Sequence, residues 1–414
     1  MKKSVLWIGL MLVVMCGMLA ACGRTADREM VQVQEAGKET KDNFQETMIY
    51  ISGTENERKD GTDSPSAEAL PSQMQPGQAD GLNNRGEAVL NPGAIAEQIF
   101  EIELSEYKGM VCFTPFAPGG GEETFHMEIT QNENLLASIP GYVPEWLAGE
   151  TFTCLDAVAF YDVNFDGNTD IVLIETYGKT SFAVVYYGFA QDAEEYERYF
   201  APQSQLSEAL SRQLKDVSVP GIRDWISGGK KNGEFSSFQE AYQAVGKLCQ
   251  LESGGERTYD LIYFNDDDIP ELVVDTAGYF LSLYTYADGR VYPLIDQWGY
   301  GAMGNAGYTY SPRKNSMRND NADFAGAIVY TTYMTMGKDY TLDEVVQITS
   351  YYFDDVNGNG MPDDEEIASV GRYGVHYIRG KEVSEEECAA YDLGGYQFMG
   401  GRMPFEELER KLKE

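Results

Sequence analysis

The sequence predicts an α+β, β-rich fold: antiparallel sheets built from repeated strand, acidic loop, strand hairpins, with a few packed helices. Three observations carry this. The 414 residues include 43 Gly and 28 Tyr, a turn-rich and Tyr-rich balance that favours strands. Apolar residues alternate at period two, as in Phe125, Met127 and Ile129, and helical spacing is confined to a few short stretches. One strand, acidic loop, strand unit recurs three times along the chain.

The chain begins with Lys2 and Lys3, followed by an apolar run from Val5 to Ala21. That length suits an export signal better than a membrane span. The run ends Leu19-Ala20-Ala21-Cys22-Gly23, which resembles a bacterial lipobox. The resemblance implies cleavage after Ala21 and a diacylglyceryl group on Cys22. Residues 1–21 would then be the signal peptide, and the protein would sit on the extracytoplasmic face of a bacterial cell membrane. Two acyl chains anchor a protein stably where one does not. From Gly23 to about Asn91, charged and small polar residues dominate without apolar period, so 22–91 reads as a disordered tether.

In the folded part, Phe100 to Glu103 and Met110 to Phe113 read as strands, and Pro115 to Gly121 as a loop. His126 shares a polar strand face with Glu128. Leu206, Leu210 and Leu214 predict a helix over Gln205–Val217. Gly, Ser and Pro between Val217 and Asn232 suggest a boundary, dividing a β-rich domain over 92–225 from an α+β domain over 232–414. Phe238, Tyr242, Val245 and Cys249 share a helix face, opened by a capping box of Ser237 and Glu240. Ser384 and Glu387 form a second box, on a helix expected to stop near Gly394 and Gly395. Pro404 to Glu414 predicts a last helix, with Pro404 near N1 and Phe405, Leu408 and Leu412 on one face.

Beyond Cys16 in the leader and Cys22, four cysteines remain: Cys112, Cys154, Cys249 and Cys388. Their spacing fits no zinc motif. An exported compartment permits disulfides, and four cysteines allow three pairings among which the sequence does not choose. Cys154 and Cys249 lie in apolar segments and read as buried thiols.

The first acidic loop is Asp162-Val163-Asn164-Phe165-Asp166-Gly167-Asn168-Thr169-Asp170, between Val158–Tyr161 and Ile171–Ile174. The third is Asp355-Val356-Asn357-Gly358-Asn359-Gly360-Met361-Pro362-Asp363. Both fit D-x-N-x-[DN]-G-x-x-D. The middle copy runs from Tyr263 to Glu271, and each loop has a strand a little further on. Units starting at 162, 263 and 355 lie too far apart for propeller blades, which recur at about 40–50 residues. Alternate side chains of such a tight loop converge, and Ca²⁺ takes six to eight hard oxygens. The twelfth position of the first loop is Leu173, where an EF-hand places a Glu. The loops instead resemble the calcium loops of FG-GAP/VCBS repeats, and the third also resembles thrombospondin type 3 loops. The resemblance covers nine to fifteen residues per copy. It implies calcium held by Asp162, Asn164, Asp166, Asp170 and the Asn168 carbonyl, and by Asp355, Asn357, Asn359, Asp363 and the Met361 carbonyl. The middle loop has Tyr263 at position 1 and Asp268 at position 6, so it keeps only Asn265, Asp267 and Glu271 as ligand types. The plain alternative is Asx turns with no metal.

Asp296 to Asn305 fits neither strand nor helix. Around it, Trp298, Tyr300 and Tyr308 with Arg313 form a candidate ligand platform, suited to stacking on sugar rings. The alternative is aromatic packing, with Arg313, Lys314 and Arg318 paired to acids such as Asp320 and Asp323.

A formal net charge of −36, more negative once Lys2 and Lys3 leave, argues against binding nucleic acid. Two His in the whole chain disfavour His-rich metal or catalytic centres. No catalytic signature stands out, so catalytic residues are none. The sequence therefore favours a lipid-anchored, calcium-stabilised binding or scaffolding module of the cell envelope. Its partners would be the membrane, through Cys22, and a carbohydrate or envelope protein. The alternative is an extracytoplasmic hydrolase acting on glycans through paired carboxylates. A solute-binding lobe pair would need more helices than the sequence offers.

Overall fold

The computed structural model describes residues 93–105, 107–119, 124–189, 199–252, 256–359, 361–363, 366 and 374–414. The described residues lie within one compact unit. The signal, Cys22 and the tether fall outside them. The chain is β-rich with antiparallel sheets and a few helices, as predicted.

Sheet I is a meander of β1 (Phe100–Glu103), β2 (Met110–Phe116), β3 (His126–Gln131) and β4 (Asn134–Pro140). Sheet II follows with β5 (Phe152–Tyr161), β6 (Asp170–Tyr177), β7 (Thr180–Phe189) and β8 (Tyr199–Pro202). Three helices come next: α1 (Ser204–Gln213), α2 (Val219–Ser227) and α3 (Phe238–Glu252). Sheet III contains β9 (Thr258–Ile262), β10 (Glu271–Thr276), β11 (Phe280–Ala287) and β12 (Arg290–Gly299). Sheet IV has seven strands: β13 (Tyr308–Ser311), β14 (Ser316–Asp323), β15 (Ile328–Met336), β16 (Leu342–Tyr351), β17 (Val375–Ile378), β18 (Lys381–Val383) and β19 (Gln397–Phe398). Two further helices, α4 (Glu385–Ala389) and α5 (Phe405–Leu412), complete the described elements.

The layers follow from strand composition. β6 reads Asp-Ile-Val-Leu-Ile-Glu-Thr-Tyr and is buried on both faces. Ile171 and Leu173 turn toward sheet I, meeting Phe113, Met127 and Ile129. Val172 and Ile174 turn the other way and join α1, α2, α3, α5 and one face of sheet III. Sheet III repeats the pattern: Leu272 and Val274 face the helices, and Val273 packs toward Tyr308, Tyr310 and Met317 of sheet IV. Helices thus lie between two pairs of sheets. The helical core draws on both sides of the boundary expected at 217–232.

Several local expectations need correcting. β2 runs through Pro115 and Phe116, which pair with Met127 and His126 of β3, Phe116 stacking on the His126 ring. Val217–Asn232, expected as a boundary, contains α2, capped by Ser218 with Pro at N1/N2. α1 stops at Gln213, since Leu214 is extended. Ser237 does accept from Glu240 N, but the Glu240 carboxylate bonds Ser236 and Lys230, so the box is only half formed. α4 does carry its full capping box, yet ends at Ala389, well before Gly394. Pro404 is the N-cap of α5, one place before N1. β12 continues to Gly299, so Asp296–Gly299 is strand; its hairpin turns at Asp288 and Gly289, both at positive φ.

Candidate metal loops

The three acidic loops share a feature that reading them as ligand sets missed. A buried acid at the end of the loop accepts the backbone N–H of the loop's second residue. Val163 N donates to Asp170 Oδ2 at 2.6 Å, and Phe264 N donates to Glu271 Oε2 at 2.7 Å. In the third copy Val356 N donates to Glu366 Oε1 at 2.8 Å. Asp170 also accepts Gly188 N at 3.0 Å, so each of its oxygens already holds a backbone partner, and it is 0% exposed. The final acid is thus a clasp closing the hairpin, whatever else it binds.

Inside the first loop, Asp162 Oδ1 accepts Asp166 N and Oδ2 accepts Gly167 N, both at 3.1 Å. Asn164 Oδ1 also accepts Asp166 N, and Asn164 Nδ2 donates to Asp166 Oδ2 at 2.8 Å. Asp166 Oδ1 accepts Asn168 N at 2.7 Å. These are Asx-type turns, and they wind Asp162, Asn164 and Asp166 around one centre. Gly167 sits at φ +88°, where a side chain would be strained. Phe165, at φ +65°, is held there by its edge-on ring contact with Phe235, 5.6 Å away.

The charge balance is unfavourable. Burial, then the neighbouring Asp166, pushes the Asp162 carboxyl up to about 7. Asp166 is raised by burial, and Asp170 is raised well above the usual carboxylate range by burial and then by Asp166 and Asp162. Relief at Asp162 comes from Gly167 N–H and the Asn232 amide. Asn232, 70 residues away in sequence, donates to Asp162 Oδ2 at 3.4 Å and to the Val291 carbonyl. Nothing local in the sequence marks it.

The middle loop keeps the clasp with different contents. Arg313 lies with its guanidinium 4.4 Å from the Tyr263 ring centroid. It donates to the Asp267 carbonyl at 3.1 Å and reaches the Asp268 carboxylate at 3.5 Å. This loop is therefore served by a cation of the protein itself.

The third loop adds a second acid to the clasp. Asp363 and Glu366 form a reciprocal pair: Glu366 N donates to Asp363 Oδ1 at 2.9 Å, and Asp363 N to Glu366 Oε2 at 3.0 Å. Asp363 and Glu366 thus hold each other's backbone N–H. Glu366 is buried and stands twelfth from Asp355, where an EF-hand loop places its bidentate Glu. The spacing D-x-N-x-N-G-x5-E was open to view in the sequence. Asn357 and Asn359 are exposed, Asn359 N bonds both Asp355 and Asn357, and Asn359 Oδ1 accepts from Met361 N. Gly360 lies outside the described residues.

The aromatic platform is not assembled as expected. Tyr300 and Tyr308 are buried; the Tyr300 hydroxyl bonds Asp275 at 2.7 Å and the Tyr308 hydroxyl bonds the Gly299 carbonyl at 3.2 Å. Only Trp298 reaches solvent, 36% exposed, its ring 5.8 Å from that of Tyr308. Arg313 belongs to the middle loop, and Arg318 pairs with Asp320. Phe and Tyr rings on strands point inward when a second sheet covers them, which the run of aromatics alone does not reveal. Cys112, Cys154, Cys249 and Cys388 are free thiols, with Cys249 buried and Cys154 only half-buried.

Among the described residues no group of three or more His, Cys, Asp or Glu side chains is placed to hold a metal, and no helix is long and apolar enough to cross a membrane. The first loop's donors beyond Asp162 and Asp166 are amide and carbonyl oxygens. This all-oxygen set fits a hard cation such as calcium in kind. No family model matches the chain, and neither a curated protein nor a solved structure matches it.

Proposed function

We propose that this protein is a binding or scaffolding module of the cell envelope, anchored through a lipid on Cys22, with structural calcium in its first acidic loop. One observation carries the calcium reading. Asp162, Asp166 and Asp170 are all raised by burial, Asp166 raises Asp162 further, both raise Asp170, and the main relief comes from N–H groups and amides rather than a cationic side chain. A divalent cation supplies the missing positive charge and keeps all three ionised. Its holders would be Asp162, Asn164, Asp166 and the Asn168 carbonyl, with Asp170 holding the loop shut behind them. In the third loop Asp355, Asn357 and Asn359, with Glu366 at the twelfth place, make a weaker candidate. The ion's role is to fix the hairpin, and these residues have no catalytic step to perform.

The test is thermal melting of the protein with EGTA, calcium or magnesium. Calcium should raise Tm and magnesium should do less, because magnesium demands a tighter octahedron and sheds water reluctantly. Equal melting in EGTA and millimolar calcium would remove calcium from the proposal. For the anchor, Cys22→Ala should leave the protein in the soluble fraction; a variant still held at the membrane would refute it.

The hydrolase alternative has one observation in its favour. Glu252, raised by burial, faces Arg257 at 3.7 Å and bonds the Tyr187 hydroxyl, and Asp296 lies near enough to raise it further. Turnover of a glycan by the wild type and its loss in Glu252→Gln would favour that reading over the module.

A further inference from the structure

The face of β6 turned to sheet I runs Ile171, Leu173, Glu175, Tyr177. The glutamate breaks an otherwise apolar stripe at a phase that must be buried. Glu175 is 0% exposed, and neither carboxylate oxygen has a hydrogen-bond partner. It sits opposite Phe182 and Leu155, and, two residues on, the Tyr177 ring contacts both Phe152 and Phe182. Residues 140–147 lie over this seam. Tyr186 donates its hydroxyl hydrogen to the Pro140 carbonyl at 3.2 Å, Leu147 is buried, and Trp146 stands edge-on to Phe182 at 6.2 Å while 45% exposed.

A bare carboxylate cannot stay charged in such a seam. Burying it without a partner costs far more than leaving it neutral. The titratable groups that face it are Tyr177 on its own strand and Tyr186 on β7. Tyr142 of the covering segment reaches it through Tyr186, with Glu208 and Glu145 acting on Tyr142 in turn. Leu155 on β5, Phe125 just before β3, and Met127 and Ile139 of sheet I are apolar. None of these facing groups carries a positive charge to pair with the carboxylate.

We propose that Glu175 is a proton-operated latch between sheets I and II: its protonated form lets the sheets close over it, and loss of the proton loosens the seam under residues 140–147. The direction of the shift agrees. Burial pushes the Glu175 carboxyl up to about 8, against the pull of the nearby Tyr177 hydroxyl, which makes no hydrogen bond of good geometry to it. Between the ordinary carboxylate range and about 8, the unfolded chain has given up this proton and the folded one has not. The folded state is then disfavoured by a factor of about ten per pH unit. The inference does not depend on calcium or on the lipid anchor.

The test compares the full chain with Glu175→Gln from pH 5 to 10 in EGTA, by denaturant unfolding and by hydrogen exchange. Wild type should lose relative stability as pH rises from 5 to 8, and exchange should quicken over 139–149 and β6. Glu175→Gln should lose that part of the slope and keep 139–149 protected at pH 9. Parallel slopes, or equal protection in both proteins at pH 9, would overturn the latch. Glu175→Leu supplies a second neutral variant should the amide fail to fold. Failure of both to fold at any pH would also overturn it, because a neutral side chain of similar size is what the seam is argued to accept.

Discussion

The first and middle acidic loops are the same hairpin with different guests. Each joins two strands of a meander, and each closes on a buried acid that accepts the N–H of the loop's second residue. The first holds Asp162 and Asp166 in mutual repulsion around Gly167. The middle has an aromatic ring at position 1, no glycine at position 6, and Arg313 stacked on that ring. The difference teaches that the clasp is the structural constant and the cation is the variable. One loop brings its positive charge from a neighbouring turn of sheet IV. The acids of the other are relieved mainly by N–H groups and amides rather than a cationic side chain, and it is the loop proposed to take an ion from outside.

The clasps should give the largest effects. Asp170→Ala removes two buried backbone partners and should cost about 3 kcal/mol, and Glu271→Ala, with one strong partner and a longer contact to Thr285 at 3.4 Å, about 2 kcal/mol. Urea midpoints measure both. If both substitutions were tolerated within a few tenths, the shared clasp would have no energetic meaning.

The middle clasp also makes a pH prediction. Burial pushes Glu271 up to about 7, while its carboxyl in the unfolded chain titrates near the ordinary value. Its contribution is thus fully present below about 4 and is lost as pH rises to about 7. Glu271→Gln should flatten the stability profile across that window, by on the order of 2 kcal/mol. Unchanged curvature in this variant would mean that the carboxyl titrates normally in the folded protein.

Calcium then separates the two loops. At calcium tenfold above its dissociation constant, one site adds about 1.4 kcal/mol. Asp166→Ala should remove most of that gain and leave Gly167 free to turn. Asp267→Ala should leave it intact, because the middle loop already lacks its first acid and its glycine. Loss of the calcium response in both variants, or in neither, would erase the distinction drawn between them.

Much of the architecture was legible because it rests on local rules. Alternation in Phe125–Ile129, Leu206 and Leu210 at helical spacing, and the Ser384–Glu387 box each report a nearby neighbour. The acidic loops stood out for the same reason. What escaped depends on partners distant in sequence. Asn232 reaches Asp162 across the helical layer, and Arg313 reaches Tyr263 from another sheet. Tyr300 and Tyr308 looked like a platform because aromatic residues give no sign of whether a second sheet covers them. Glu366 and Glu175 are different: a twelve-residue spacing and a break in an apolar stripe were both readable, and attention to D-x-N-x-D-G alone passed over them.

The smallest expected effect tests the guest of the middle loop. Arg313 is partly exposed, and its ion pair with the fully exposed Asp268 adds little. Its worth lies in the ring of Tyr263 and the Asp267 carbonyl. Arg313→Ala should therefore cost only about 0.5–1 kcal/mol, the range of an exposed cation–π contact. Arg313→Lys should recover part of that, since an ammonium keeps the charge but loses the planar stacking. Calcium should stabilise the alanine variant no more than it stabilises wild type. Tyr263 fills the place of the first carboxylate and Asp268 that of the turning glycine, so removing the guanidinium leaves a turn without a cation and without the geometry to recruit one. A calcium gain in Arg313→Ala larger than in wild type, and persisting when Asp166→Ala is added to it, would show that the middle loop is a metal loop held empty by its arginine, and the contrast between the two hairpins would then be one of occupancy rather than design.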